Sequence, residues 1–343
     1  MKDHSESPHD PLGAAGGSVT RRRFLLTLAA TVALPGPSAW PQARPMHRVA
    51  WLSGSREADT VESLAALLDG LRDLGYRQGD NLVVEARWAD YVPERATRLA
   101  GELAALRPAV IVTQGAAHGP AVRHSPPLPV VFLHSGDPVE AGLAESFAHP
   151  GRNGTGISLL ALDLTGKRME LLKQMVPNLR RVAFLANPEH PGEQRELAAS
   201  RAAAAQLGLA VTYYQTRSPA ELDTALAAVG AARPEGAVLF SDALMFGQRQ
   251  KLAAFFLQHR IPSATGWSDF PESGHLLSYG PERRAAWRRV AYFVDKILKG
   301  ARPADLPIEL PTVLETVINR RTATAMHLSV PPAILVRADR VID

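Results

Sequence analysis

The chain has 343 residues, 46% hydrophobic and 21% charged, proportions of a globular protein with core material for one large domain or two of about 100 to 150 residues. It has no cysteine, which excludes disulfides, thiolate metal sites and lipid attachment through a cysteine. The formal charge of +4 does not point to nucleic acid, because three adjacent arginines sit in an N-terminal segment and the other basic residues are mostly interleaved with acids.

Arg21, Arg22 and Arg23 stand directly ahead of an apolar run over 24–34. A membrane-spanning helix needs about 20 apolar residues, so this run is too short to span and suits the hydrophobic region of a secretory signal. The arginine pair followed by x-Phe-Leu resembles a twin-arginine signal, which directs folded proteins out of the bacterial cytoplasm. Residues 1–43 are therefore expected to be an export signal, with the mature chain starting near Ala43 and residing free in the periplasm.

From Arg48 onward, short β-rich runs alternate with helical stretches. A strand is predicted over 49–52, followed by a helix whose Leu64, Leu67, Leu68, Leu71 and Leu74 share one face. A strand over 81–88, a helix over 93–106 opened by Pro93, and two buried runs over 109–115 and 128–137 complete the first series. This rhythm predicts a parallel sheet with helices on both faces, because parallel strands need crossover connections. The segment "RVAFLANPEH" at 181–190 then repeats the opening "RVAWLSGSRE" at 48–57, and a second series begins. Its strands are predicted over 180–187, 209–216, 235–242 and 261–267, and one of its helices is capped by Ser218 with Pro219 at the first position.

The glycine-rich stretch over 149–160 reads as a connection between two lobes. A return segment over 274–284 precedes a helix on which Trp287, Val290, Ala291, Val294, Ile297 and Leu298 share a face, stopped by Gly300 and Pro303; its basic residues, within 282–300, read as a solvated face. A strand and a short helix follow. The fold expected is α/β, two Rossmann-like lobes with parallel sheets joined by a multi-crossover hinge. The first lobe takes 44–156 plus about 279–309, and the second 157–278 plus about 310–343. Such a pair places a cleft between the carboxyl ends of two sheets, where open α/β sheets bind ligands.

No Gly-x-Ser-x-Gly elbow, Walker loop, Gly-x-Gly-x-x-Gly turn or His-Glu-x-x-His motif is present, which favours binding over turnover and implies no cofactor. His118, His124 and His134 have spacings that fit no familiar metal pattern. The candidate ligand-binding residues are the strand ends. In the first lobe they are Ser53 and Ser55, then Gln114, Gly115 and Ala116, then Ser135 and Asp137; in the second they are Asn187, Ser241 and Asp242. Small hydroxyls and amides suit a polar ligand, and Asp137 and Asp242 could pair an ammonium. The competing reading is that these residues only cap the following helices. Trp267 and Tyr279 lie near the return crossing and could stack on a ligand or pack between lobes.

Several motifs, among them "LLDGLRDLGYRQGDNLVVEARWAD", "PAVIVTQGAA", "LPVVFLHSGDPVEAGL", "HPGRNGTGIS" and "ILKGARPADLPIELPTVLETVIN", resemble the ABC transporter substrate-binding proteins of the TrpX-like group, within the type I periplasmic binding proteins. The resemblance covers the mature chain in order. It implies a monomeric, non-enzymatic receptor whose lobes, joined by three crossovers, close on a small solute such as an amino acid or a carboxylate and dock on an ABC permease in the inner membrane. Members that bind aromatic amino acids carry Asp-Asn-Thr where this chain has Asp242-Ala243-Leu244, a departure that bears on the ligand, whereas Asp137-Pro138-Val139 keeps the family pattern. An extracytoplasmic sensor on the same fold and a two-lobe nucleotide-sugar transferase are the alternatives. A DNA-binding repressor is disfavoured because no helix-turn-helix precedes the first lobe.

Overall fold

The computed structural model describes residues 45–124, 128–160 and 164–343, apart from the side chains of Ala116 and His124. The expected export signal lies outside the described residues. The first sheet contains β1 (His47–Ser53), β2 (Leu82–Trp88), β3 (Val110–Gln114), β4 (Val130–His134) and β5 (Gly154–Ser158), in the order β2-β1-β3-β4-β5, all parallel. The second contains β6 (Arg181–Ala186), β7 (Ala210–Gln215), β8 (Gly236–Leu239), β9 (Ser263–Thr265), β10 (Leu277–Pro281), β11 (Leu314–Asn319) and β12 (Arg340–Ile342), in the order β12-β11-β10-β9-β8-β6-β7. Stripped of β11 and β12, the second order repeats the first strand for strand, which is what the duplicated opening of the sequence encodes. The β10–β11 pair alone among the assigned pairings is antiparallel, because β11 returns to the sheet after an excursion through the other lobe.

Alternation along the strands divides each sheet between two helical layers. Val49, Trp51, Val110 and Val112 pack with Leu67 and Leu71 of the helix Val61–Asp73 and with Trp287, Val290 and Val294 of the helix Arg283–Leu298. Ala50, Leu52, Ile111 and Phe132 face the opposite way, onto Leu99 and Leu103 of the helix Pro93–Ala105. Both faces are covered, as parallel sheets require. The helix Arg283–Leu298 follows the second lobe's β10 yet completes the first lobe's core, with the Trp51 and Trp287 ring centroids 4.9 Å apart. Its approach to the helix Val61–Asp73 depends on Gly70, where a Cβ would stand 2.6 Å from the Arg288 carbonyl oxygen.

The glycine-rich stretch over 149–160 corrects an expectation. Part of it is not a connection but the edge strand β5, fully buried and hydrogen-bonded to β4. Strand propensity could not reveal it, since Gly154 and Gly156 supply none. Gly156 is there for space: a Cβ on it would lie 2.0 Å from the Phe132 carbonyl oxygen, at a φ of +146°. By strand membership the first lobe therefore runs past the expected boundary at 156 to Ser158, and the second keeps Tyr279 to Pro281 within β10. The chain crosses between lobes after Ser158, between Pro281 and Arg283, and between Glu309 and Leu314. These crossings are tied together: Ser158 N–H donates to the Glu309 carbonyl at 3.0 Å and Glu282 N–H to the Val313 carbonyl at 3.0 Å.

Gly156→Ala is expected to destabilise the protein by more than ~2 kcal/mol, read as a fall in the denaturant midpoint, because the strand must move off β4 to admit the methyl group. An unchanged midpoint would show that β5 does not need this close approach.

Candidate ligand-binding cleft

A cavity of about 400 Å³, part of it continuous with solvent, lies where the carboxyl ends of the two sheets meet. From the first lobe it is lined by Ser55 after β1, Gln114 and Gly115 at the end of β3, Leu133 and Ser135 at the end of β4, and Leu159 after β5. From the second come Ala243 and Phe246 of the short helix Ala243–Gly247 and Trp267 after β9, and Arg283 stands at the second crossing.

Of the residues expected from the sequence, Ser55, Gln114, Gly115, Ser135 and Trp267 are brought together on this wall. Ser53, Asp137, Asn187, Ser241, Asp242 and Tyr279 lie outside its lining, and the hydrogen bonds they make explain why. Ser53 Oγ accepts from Ser55 N–H at 3.1 Å and shapes the turn after β1. Asn187 Oδ1 accepts from Glu189 N–H at 3.0 Å, and Ser241 Oγ from Gly266 N–H at 3.1 Å. Asp242 Oδ1 caps the helix Ala243–Gly247 through Met245 N–H at 2.7 Å. Tyr279 packs against the second lobe's core while its carbonyl accepts from Arg168 Nε at 2.8 Å. For these residues the structure displays the capping and packing reading. Ala116 lies in the 3-10 turn Gly115–Ala117, and its side chain is outside the described set.

Asp137 does something else. Its Oδ1 accepts from the N–H groups of Val139 and Glu140, at 2.7 and 3.0 Å, and its Oδ2 pairs with Arg195, a second-lobe residue. Burial alone would raise this carboxyl, but the Arg195 guanidinium and the two N–H groups hold it below the usual carboxylate range. Beside it, Ser135 Oγ lies 2.8 Å from His190 Nε2, and Asp137 N–H donates to the Pro191 carbonyl at 3.0 Å. On the other flank, Asp59 of the first lobe pairs with Arg249 of the second at 2.8 Å. The lobes are thus closed on one another.

Sequence reasoning missed Arg283. Within a basic run read as a solvated face, it is 8% exposed. Its Nη1 donates to Asp269 at 2.7 Å, and its guanidinium lies 4.8 Å from the Phe246 centroid and 5.0 Å from that of Trp267, within cation–π range. The available signal was Glu282, an N-cap that accepts from Arg284 and Ala285 N–H groups and so places Arg283 at the first turn, beside the crossing. Phe246, Ala243, Leu133 and Leu159 were also missed, because apolar residues near strand ends read as core. The nearby imidazoles are held neutral: burial lowers His118 to about 3 and His190 to about 4, and burial together with its two histidine neighbours lowers His134 well below the usual imidazole range. Arg283 is therefore the charged group of the wall.

Burial pushes the Asp242 carboxyl up to about 6, against the opposing pull of the Met245 and Leu244 N–H groups and the Asn187 side chain. The folded chain thus holds this proton more tightly than the unfolded chain, so the contribution to stability is present at low pH and lost as pH rises from about 4 through about 6. Asp242→Asn keeps the cap and cannot ionise. It is expected to be more stable than the parent by ~1–3 kcal/mol at about pH 8, with the gap closing near pH 4, as read by chemical denaturation at both pH values. A gap independent of pH would refute the buried-carboxylate account.

Residues 57–342 match the family described as ABC transporter substrate binding protein. A tyrosine-binding protein of Clostridioides difficile is 20% identical over 263 residues, covering 76% of this chain and 75% of that protein. Among solved structures, an ABC domain in complex with L-Trp from Streptococcus pneumonia aligns with a TM-score of 0.80 at 20% identity, over 87% of this chain and 100% of that one. A conserved domain protein of Vibrio cholerae gives 0.79 at 24% identity, over 86% and 99%. The fold is that of the type I periplasmic binding proteins, as expected from the sequence. With the match spanning nearly all of the described residues, the chain belongs to the ABC transporter substrate binding protein family.

Proposed function

We propose that this chain is an exported receptor that captures one small polar solute between its lobes and delivers it to an ABC-type importer in the inner membrane. The observation that carries the reading is the composition of the cavity wall: hydroxyls and an amide from one lobe face aromatic rings from the other, with a guanidinium at the crossing between them. A solute touching both walls is bound more tightly in the closed arrangement than in an open one, and that difference shifts the population toward closure. Members of the family bind solutes and do not turn them over. The relatives named for tyrosine binding and seen with L-Trp support a solute with a carboxylate and a ring. Export is supported by the arginine pair Arg21-Arg22 ahead of the apolar run over 24–34, and among the described residues no helix is long and apolar enough to cross a membrane.

The binding reading is tested by a thermal-shift screen of metabolites against the purified chain, since a ligand that binds only the folded state raises its melting temperature. At least one small polar solute is expected to do so; a broad panel with no shift would sink the reading. The flank contacts yield a second test. Because Asp137 is committed to Arg195, Asp137→Ala and Arg195→Ala are each expected to weaken a confirmed ligand about tenfold, and the double variant no more than either single one. A much larger loss for Asp137→Ala than for Arg195→Ala would mean that Asp137 touches the solute itself.

A further inference from the structure

Arg283 is the one charged side chain on the cavity wall among the described residues. No acid lies on the cavity lining, and most of those that flank it are engaged elsewhere. Asp59 is held by Arg249 and by the Tyr91 hydroxyl at 3.1 Å, and Asp137 by Arg195 and two backbone N–H groups. Asp269 pairs with Arg283 itself. Glu282 is spent on the N–H groups that open the helix Arg283–Leu298. Asp242, 3% exposed, spends Oδ1 on Met245 N–H while its Oδ2 has no partner among the described residues, but the neighbouring Ala243, not Asp242, stands on the lining. An ammonium group entering this space would lose its hydration and meet no carboxylate on the cavity wall, which is costly in a buried site. A carboxylate has a partner. Among the described residues Arg283 makes one hydrogen bond, from Nη1, and its other N–H groups remain for a carboxylate, which a guanidinium binds in a forked geometry.

A second observation concerns Gln114. Its side chain lines the cavity, is 8% exposed, and its Oε1 has no hydrogen-bond partner among the described residues. A buried acceptor of this kind needs a donor, and a hydroxyl supplies one without bringing charge. The remaining wall, Leu133, Leu159, Phe246 and Trp267, is apolar.

From this we infer that the cleft selects a hydroxy-carboxylate with an apolar or aromatic body, and rejects the amino acid of the same skeleton. The inference rests on the receptor reading above and narrows its ligand class. Phenyllactate and phenylalanine differ only in a hydroxyl against an ammonium on the same carbon, so they isolate the group in question; 3-phenylpropionate lacks both.

Isothermal titration of the full chain with these three probes is the test. Phenyllactate is expected to bind at least about tenfold more tightly than phenylalanine and severalfold more tightly than 3-phenylpropionate. Arg283→Gln is expected to weaken phenyllactate by more than about tenfold. Because Arg283 also joins Asp269 to two rings, a second variant guards against misfolding: Ala243→Asp leaves Arg283 in place, sets a carboxylate on the wall at the first turn of a helix, and is expected to reverse the preference toward phenylalanine. Phenylalanine binding the unaltered chain as tightly as phenyllactate would overturn the inference and leave the receptor reading standing. The inference fails in the same way if none of the three probes binds while another solute of the broad panel does. A chain that binds no solute at all fails both.

Discussion

Three guanidiniums span the gap between the lobes, and how loosely they hold determines what the cleft can do. Arg195 reaches Asp137, Arg249 reaches Asp59, and Arg283 reaches Asp269. The first joins a half-exposed arginine to a buried carboxylate and the other two are more buried on the arginine side; in each the attraction recovers little more than the hydration lost. An apolar interface of equal extent would lock the halves together. Under the proposed function, polar latches leave less to overcome on opening than an apolar seam would, so the few kcal/mol that a solute gains by touching both walls is enough to decide between the arrangements.

The same economy shows in the hinge. The helix Arg283–Leu298 is delivered by the second lobe's last parallel strand, yet its Trp287 and Val290 fill the first lobe's core. Neither lobe has a complete hydrophobic interior without the crossings, so they cannot drift apart as independent domains. The crossing segments are themselves hydrogen-bonded to one another, through Ser158 and Glu309 and through Glu282 and Val313. Under the proposed function, this short ladder is the line about which the lobes would open and close. Gly156 is essential to that ladder, because β5 can lie flat against β4 only without a side chain there.

Much of the fold was legible because duplication leaves a strong mark: the same opening and the same alternation of strands with helices. What escaped detection did so for physical reasons. β5 is held by backbone contact, and a strand whose residues include two glycines carries little of the pattern by which strands are read. Part of the site was legible for the complementary reason. Ser55, Gln114 and Ser135 sit where the sheet geometry sends any strand-end side chain, so position alone put them on the wall of the candidate cleft. Asp242 and Ser241 occupy equivalent positions in the second lobe, but there backbone N–H groups, of Met245 and of Gly266 after β9, take up Asp242 Oδ1 and Ser241 Oγ, and no sequence pattern distinguishes an oxygen facing a ligand from one facing an N–H. Arg283 was hidden by its neighbours: Arg284 and Arg288 are solvated, and only the crossing just before it turns this one arginine inward.

The two walls do not contribute alike. The first lobe offers short hydroxyls and one amide, groups that hydrogen-bond a solute about as well as water does and so discriminate weakly among polar solutes. Rings and charge belong to the second lobe and the crossing, where Phe246 and Trp267 brace the Arg283 guanidinium. A solute that settles first on the hydroxyl wall keeps most of its hydration, and its charge is tested only when the second wall arrives and water leaves. Under the proposed function, a solute of the wrong charge would therefore enter the cleft but fail to close it. Selectivity of this form resides in the closing equilibrium, and because an importer would read the closed form, weakly held solutes would occupy the site without being passed on.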